Sequence, residues 1–110
     1  MQAQEKIPYY LSAGQVDDYL PRIGRVIRYQ GKEIAVFRLS GDAFVALENH
    51  NAHQKGGPLC EGIVSGDYVF DPLYNRKISL YDGKVLDSDE SVATYPVRVI
   101  GSDVQIYPEA

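Results

Sequence analysis

The 110-residue chain has one cysteine, Cys60, one methionine and no tryptophan. A single thiol excludes an intrachain disulfide and a cysteine-rich zinc site, and it fits a reducing compartment. Positive charge is also scarce, with eleven Lys and Arg against fifteen Asp and Glu for a formal charge of -4. That balance works against a surface that gains affinity by displacing counterions from nucleic acid or anionic lipid. Long apolar runs are missing: nothing approaches the ~20 residues needed to span a bilayer, and Met1 to Lys6 carries no apolar signal core. The expectation is a soluble, cytoplasmic protein with neither a nucleic-acid nor a membrane partner. Helical periodicity is confined to Gln15 to Leu20, room for a turn or two that Pro21 would stop.

What is present reads as strand. The apolar residues come in short runs that alternate with polar ones and are punctuated by Gly, Asp, Asn and Ser. Ile7 to Leu11, Gly24 to Tyr29, Glu33 to Leu39 and Ala43 to Glu48 predict four strands, the last three joined at Gln30-Gly31 and Ser40-Gly41-Asp42 into a meander. Asp67 to Phe70, Arg76 to Tyr81 and Lys84-Val85 predict a shorter second group, turned by Ser65-Gly66 and Asp82-Gly83. Pro96 to Ile100 and Val104 to Tyr107 predict a closing hairpin. The fold class is therefore all-β, one domain over 1–110, of a size that folds without a disulfide or a structural metal.

Two stretches break the hairpin pattern, Asn49 to Gly62 and Asp71 to Asn75, and loops of such length in a small domain tend to carry function. The first holds both histidines, His50 and His53, together with Cys60 and the Gly56-Gly57-Pro58 turn. The bland alternative is that these glycines and the proline merely turn the chain while the histidines stay solvated.

Asn51-Ala52-His53 and, after residues 54 to 70, Asp71-Pro72-Leu73-Tyr74 have the spacing of two loops that supply Cys-x-His and Cys-x-x-His to a [2Fe-2S] cluster. With Gly56-Gly57-Pro58-Leu59, Glu61-Gly62, Val69-Phe70, Leu80 to Gly83 and Thr94-Tyr95-Pro96-Val97, the chain resembles a Rieske iron-sulfur domain from about Ile7 to Tyr107. The resemblance implies an antiparallel β-sandwich with a small loop-rich subdomain at about 49–86. A Rieske centre takes two thiolates on one iron and two imidazoles on the other. Asn51 and Asp71 stand at the cysteine positions and Tyr74 at the second histidine, so His53 alone keeps its type. Cys60, seven residues beyond His53, cannot replace two thiolates. The expectation is a cluster frame (Asn51, His53, Asp71, Tyr74) that holds no cluster, with no cofactor in this chain.

One branch of the family combines this length with Pro72-Leu73, Arg76, Leu80 and Asp82-Gly83 as spaced here, an opening like Asp17-Asp18-Tyr19-Leu20-Pro21, a third strand like Ile34-Ala35-Val36-Phe37-Arg38, and Val45-Ala46-Leu47-Glu48-Asn49 before the first loop. These residues resemble the small subunit of assimilatory NAD(P)H-dependent nitrite reductase. That resemblance implies a non-catalytic subunit supporting a large subunit that carries FAD, an iron-sulfur cluster and sirohaem and reduces nitrite to ammonium. The contact residues it suggests are Lys55, Pro58, Leu59, Leu73, Tyr74, Arg76 and Lys77. Nine tyrosines support a partner surface, although tyrosine also suits strand faces.

Other chemistries compete. A Rieske-type ferredoxin is opposed by the ligand count. A mononuclear metal held by His53, Asp71, Tyr74 and His50 has plausible donors but no visible second shell; the simpler reading gives Asn51 and Asp71 backbone hydrogen bonds and Tyr74 a space-filling role. A Cys60-His nucleophilic pair lacks an orienting third group, and a lone cysteine is more often a small buried apolar residue. Gly56-Gly57-Pro58 lacks the spacing and Lys-Ser/Thr of a phosphate loop.

Overall fold

The computed structural model describes residues 9–50, 58–72 and 76–108. Ten strands follow in order: β1 Leu11–Gln15, β2 Arg25–Tyr29, β3 Lys32–Arg38, β4 Phe44–Glu48, β5 Ile63–Ser65, β6 Tyr68–Phe70, β7 Lys77–Ser79, β8 Thr94–Tyr95, β9 Val97–Ile100 and β10 Asp103–Ile106. They form three antiparallel sheets with strand orders β1-β10-β9, β2-β3-β4-β8 and β5-β6-β7.

The second of these sheets is the middle layer, and its sequence explains why. Ile34 to Phe37 and Val45 to Leu47 are unbroken buried apolar runs, the pattern of strands covered on both faces. Ala35, Phe37, Val45 and Leu47 pack with Leu59, Val64, Val69, Ile78, Leu80, Val85 and Val92 in one core. Ile34, Val36 and Ala46 alternate to the other face and join Ala13, Val16, Tyr19, Tyr95, Val104 and Ile106 in a second. The loop-bearing β5-β6-β7 sheet and the β1-β10-β9 sheet therefore cover opposite faces of the middle one. Each fully buried Phe or Leu in these layers contributes roughly 1.5–3 kcal/mol by transfer from water.

The predicted meander matches β2, β3 and β4 to within about a residue at each end. Other expectations need correction. The first strand is Leu11–Gln15 rather than Ile7 to Leu11, of which residues 7 and 8 lie outside the described residues. Its weak pattern hid it: Ser12, Ala13 and Gly14 have little strand preference, and the register slips between Ser12 and Gln15 at a bulge where Gly14 takes φ +104°. The expected helical segment is one 3-10 turn, Val16–Asp18, ended at extended Tyr19 and not by Pro21. Tyr19 turns back into the second core, where its hydroxyl donates to the Ala13 carbonyl at 2.7 Å. β5 and β8, of three and two residues, are not among the strands expected from the sequence. Arg76 to Tyr81 shortens to β7, and Lys84 and Val85 make only isolated bridges to Ser91 and Ile78.

Candidate functional site

Each unusual loop rises from a fixed root on the β5-β6-β7 side. At the first, the Leu59 N–H donates to the Asn49 carbonyl at 3.1 Å, and His50 and Pro58 form an antiparallel bridge. The chain then makes a 3-10 turn, Leu59–Glu61, with Leu59 fully buried beneath it. At the second, Phe70 pairs with Lys77, and the Asp71 N–H donates to the Arg76 carbonyl at 2.8 Å. The roots touch: a Cβ on Gly62 would lie 2.3 Å from the Phe70 carbonyl oxygen, so only glycine permits this approach. The expected juxtaposition of the loops is thus present at their bases.

Asn49 holds the first root. It is buried, its Nδ2 donates to Glu33 Oε1 at 3.1 Å, and its Oδ1 accepts the Cys60 N–H at 2.7 Å. Its own N–H donates to the Glu33 carbonyl at 2.9 Å. The Asn49 hydrogen bond, helped by the Arg28 guanidinium 3.3 Å away, holds the Glu33 carboxyl below its ordinary pKa. Neither Asn49's clamp nor Glu33 was anticipated from the sequence. The available signal was an Asn directly after an apolar strand, a residue prone to side chain–backbone bonding.

The predicted site residues fare unevenly. Asn51, His53, Lys55, Leu73 and Tyr74 lie outside the described residues. Asp71 is buried at 3% exposure, and Pro58 is exposed. Leu59 is corrected: at 0% exposure it is a core residue packed beside Val64 and Val69, with no surface to offer a partner. Arg76 is engaged within the chain, its Nη2 2.7 Å from Glu90 Oε1. Lys77 lies over the Tyr68 ring, with Nζ 4.4 Å from the centroid. Two of the expected contact cations, Arg76 and Lys77, are therefore already engaged within the chain. Cys60 is half-buried against the first core, and that burial raises its thiol pKa, which makes it a poor nucleophile.

The donor set does not fit the family's cluster. At the four ligand positions stand an amide, one imidazole, a buried carboxylate and a phenol, in place of two thiolates and two imidazoles. Among the described residues, no three His, Cys, Asp or Glu side chains converge as a metal site. Two concavities lie elsewhere. A groove of about 440 Å³ is walled by Phe44, Ala46, Leu80, Tyr81, Tyr95 and Pro96, and offers no acid or base beyond tyrosine hydroxyls. A polar hollow of about 250 Å³ includes Lys32, Glu33, Glu48 and His50. There Lys32 Nζ donates to the Pro108 carbonyl at 3.0 Å and Glu48 Oε1 accepts the Ala93 N–H at 2.8 Å, so these groups serve the fold.

The model of the Rieske-like [2Fe-2S] domain matches residues 9–107. The chain belongs to that family. Among solved structures, this Rieske-like domain is similar to a Mycobacterium tuberculosis protein described as an NADH-dependent nitrite reductase small subunit, at 27% identity and TM-score 0.84, over 92% of this chain and 96% of that one. It is similar to E. coli NirD at 26% identity and TM-score 0.80, over 89% and 94% of the two chains. The ferredoxin of carbazole 1,9a-dioxygenase from Nocardioides aromaticivorans shares the fold at 22% identity and TM-score 0.80, over 90% and 97%. A curated relative is the Nitrite reductase [NAD(P)H] large subunit of Klebsiella oxytoca, 35% identical over an alignment of 81 residues that covers 68% of this chain and only 8% of that protein. Among the described residues of this Rieske-like domain, no helix is long and apolar enough to cross a membrane.

Proposed function

We propose that this Rieske-like domain is the cluster-free small subunit of a cytoplasmic NAD(P)H-dependent nitrite reductase of nitrate assimilation. It supports by contact a large subunit bearing FAD, an iron-sulfur cluster and sirohaem, on which nitrite is reduced to ammonium. The observation that carries the reading is the pairing of small-subunit-like architecture with a donor set that cannot hold the cluster. A domain that keeps the scaffold and loses the electron carrier is left with surface as its means of action. The docking face in this reading is the loop side, with Lys55, Pro58, Leu73, Tyr74, Arg76 and Lys77 as contacts, and without Leu59, which is core.

Copurification of the tagged chain with its cognate large subunit, followed by nitrite reduction with and without the chain, tests this. The expected result is a stable complex whose turnover or yield falls at least about tenfold when the chain is omitted, a loss equivalent to about 1.4 kcal/mol. Unchanged activity and yield would refute the subunit reading.

A further inference from the structure

Between β1 and β2 the chain turns at Leu20-Pro21-Arg22-Ile23, and all four residues are exposed. The Ile23 N–H donates to the Leu20 carbonyl at 3.2 Å, and Arg22 takes φ +65°. That is the pattern of a type II turn with proline in its second position, and its third position favours glycine or asparagine because a side chain resists the left-handed conformation. An arginine there departs from the preference, and such departures concentrate at functional positions. None of the ion pairs among the described residues includes Arg22 or Arg25. Arg25 instead lies over the Tyr19 ring at 5.4 Å, with its Nη1 donating to the Asp18 carbonyl at 2.7 Å. The turn is held from both sides. The Arg22 N–H donates to the Arg38 carbonyl at 2.7 Å, Pro21 bridges Arg38, and a Cβ on Gly24 would lie 2.5 Å from the Cys60 carbonyl oxygen. The turn thus abuts the root of the first loop. Leu20 and Ile23 are 69% and 57% exposed, and Ile63, three residues beyond Cys60, is 73% exposed.

We infer that the turn at 20–23 is a preformed contact for the large subunit, which meets it with an apolar surface bearing a carboxylate for Arg22. The inference rests on the proposed function and extends the docking face from Pro58 onto this turn. Charge selects the partner. A two-fold contact between copies of this chain centred on the turn would set Arg22 against Arg22, whereas a carboxylate gives the guanidinium forked, charge-assisted hydrogen bonds. Leu20 and Ile23 beside it exclude water from that pair. Because the turn is already fixed, little ordering opposes binding.

Arg22→Gly separates the contact from the fold, since glycine removes the guanidinium and suits φ +65°. Binding of the chain to its immobilised cognate large subunit is measured alongside thermal unfolding. Arg22→Gly should keep at least the wild-type unfolding midpoint while its Kd rises at least about tenfold. Added salt, from about 0.05 to about 0.5 M, should weaken the wild type more than Arg22→Gly, because it screens the pair that the variant lacks. Ile23→Ser should raise Kd similarly and keep the wild-type salt dependence. A wild-type Kd in either variant would overturn the inference. So would an Arg22→Gly midpoint lowered by more than about 5 °C, which would assign the arginine to the fold. A dimer of the chain alone, seen by sedimentation and lost in these variants, would give the turn to a second copy and overturn it as well. A wild-type chain that does not bind the large subunit would instead refute the subunit reading itself.

Discussion

Gly83→Ala is expected to destabilise the domain by about 3 kcal/mol or more, which lowers the midpoint of thermal unfolding by roughly 15 °C at this size. The cause is double. Gly83 has φ +75°, a left-handed conformation that a side chain resists by roughly 1–2 kcal/mol, and a Cβ there would lie 2.1 Å from the Val92 carbonyl oxygen. That carbonyl is fixed, because the Gly83 carbonyl accepts the Val92 N–H at 2.8 Å and Val92 itself is core. Gly62→Ala isolates the steric part: its backbone φ of -76° suits alanine, yet the Cβ would meet the Phe70 carbonyl oxygen at 2.3 Å. Its cost should be smaller, about 1–3 kcal/mol, and concentrated where the two loop roots touch. Thermal unfolding of both variants, with amide exchange of residues 58–72, checks the difference. Wild-type stability in Gly83→Ala would show that the 83–92 contact is looser than described.

The second large effect lies at Asn49. Asn49→Leu keeps the volume and removes both side-chain hydrogen bonds, leaving the part-buried Cys60 N–H without its acceptor and the Glu33 carboxylate without its amide donor. The expected cost is about 2–3 kcal/mol, with faster amide exchange at Cys60. Asn49→Asp separates the two functions: it retains an acceptor for Cys60 but sets a carboxylate against Glu33, so Cys60 stays protected while the Glu33 pKa rises. The pH dependence has a definite sign. Glu33 titrates below its ordinary value of 4.5, so its contribution is complete above that pH and is lost as the pH falls through the lowered folded value. The stability gap between wild type and Asn49→Leu should therefore be widest at neutral pH and narrow in acid. A gap that does not change with pH would remove Glu33 from the clamp.

Why some of this was legible and some not has physical reasons. β2, β3 and β4 could be read because apolar runs and alternation are local signals and Gln30-Gly31 marks a tight turn. The three residues of β5 and two of β8 are too few to establish a period; they are strands only because Phe70 and Leu47 offer partners from elsewhere in the chain. The site shows the same divide. The loops announced themselves by failing the hairpin pattern, and the missing cluster ligands could be counted. The Asn49 clamp could not be anticipated, since Glu33 is sixteen residues away on another strand. Leu59 misled for a related reason: beside Gly56-Gly57-Pro58 it reads as a loop-tip residue, and only the 3-10 turn after Pro58 directs it into the core. Arg76 and Lys77 were expected as partner contacts because Glu90 and Tyr68 approach them only through the fold.

The most direct test of a Rieske-like domain that acts without its cluster is the iron and acid-labile sulfide content of the anaerobically purified chain, read with its visible and reduced-state paramagnetic spectra. A domain without the cluster is expected to be colourless, with iron far below one atom per chain and no signal below g = 2. About two irons and two sulfides per chain, with a reducible brown chromophore, would contradict it.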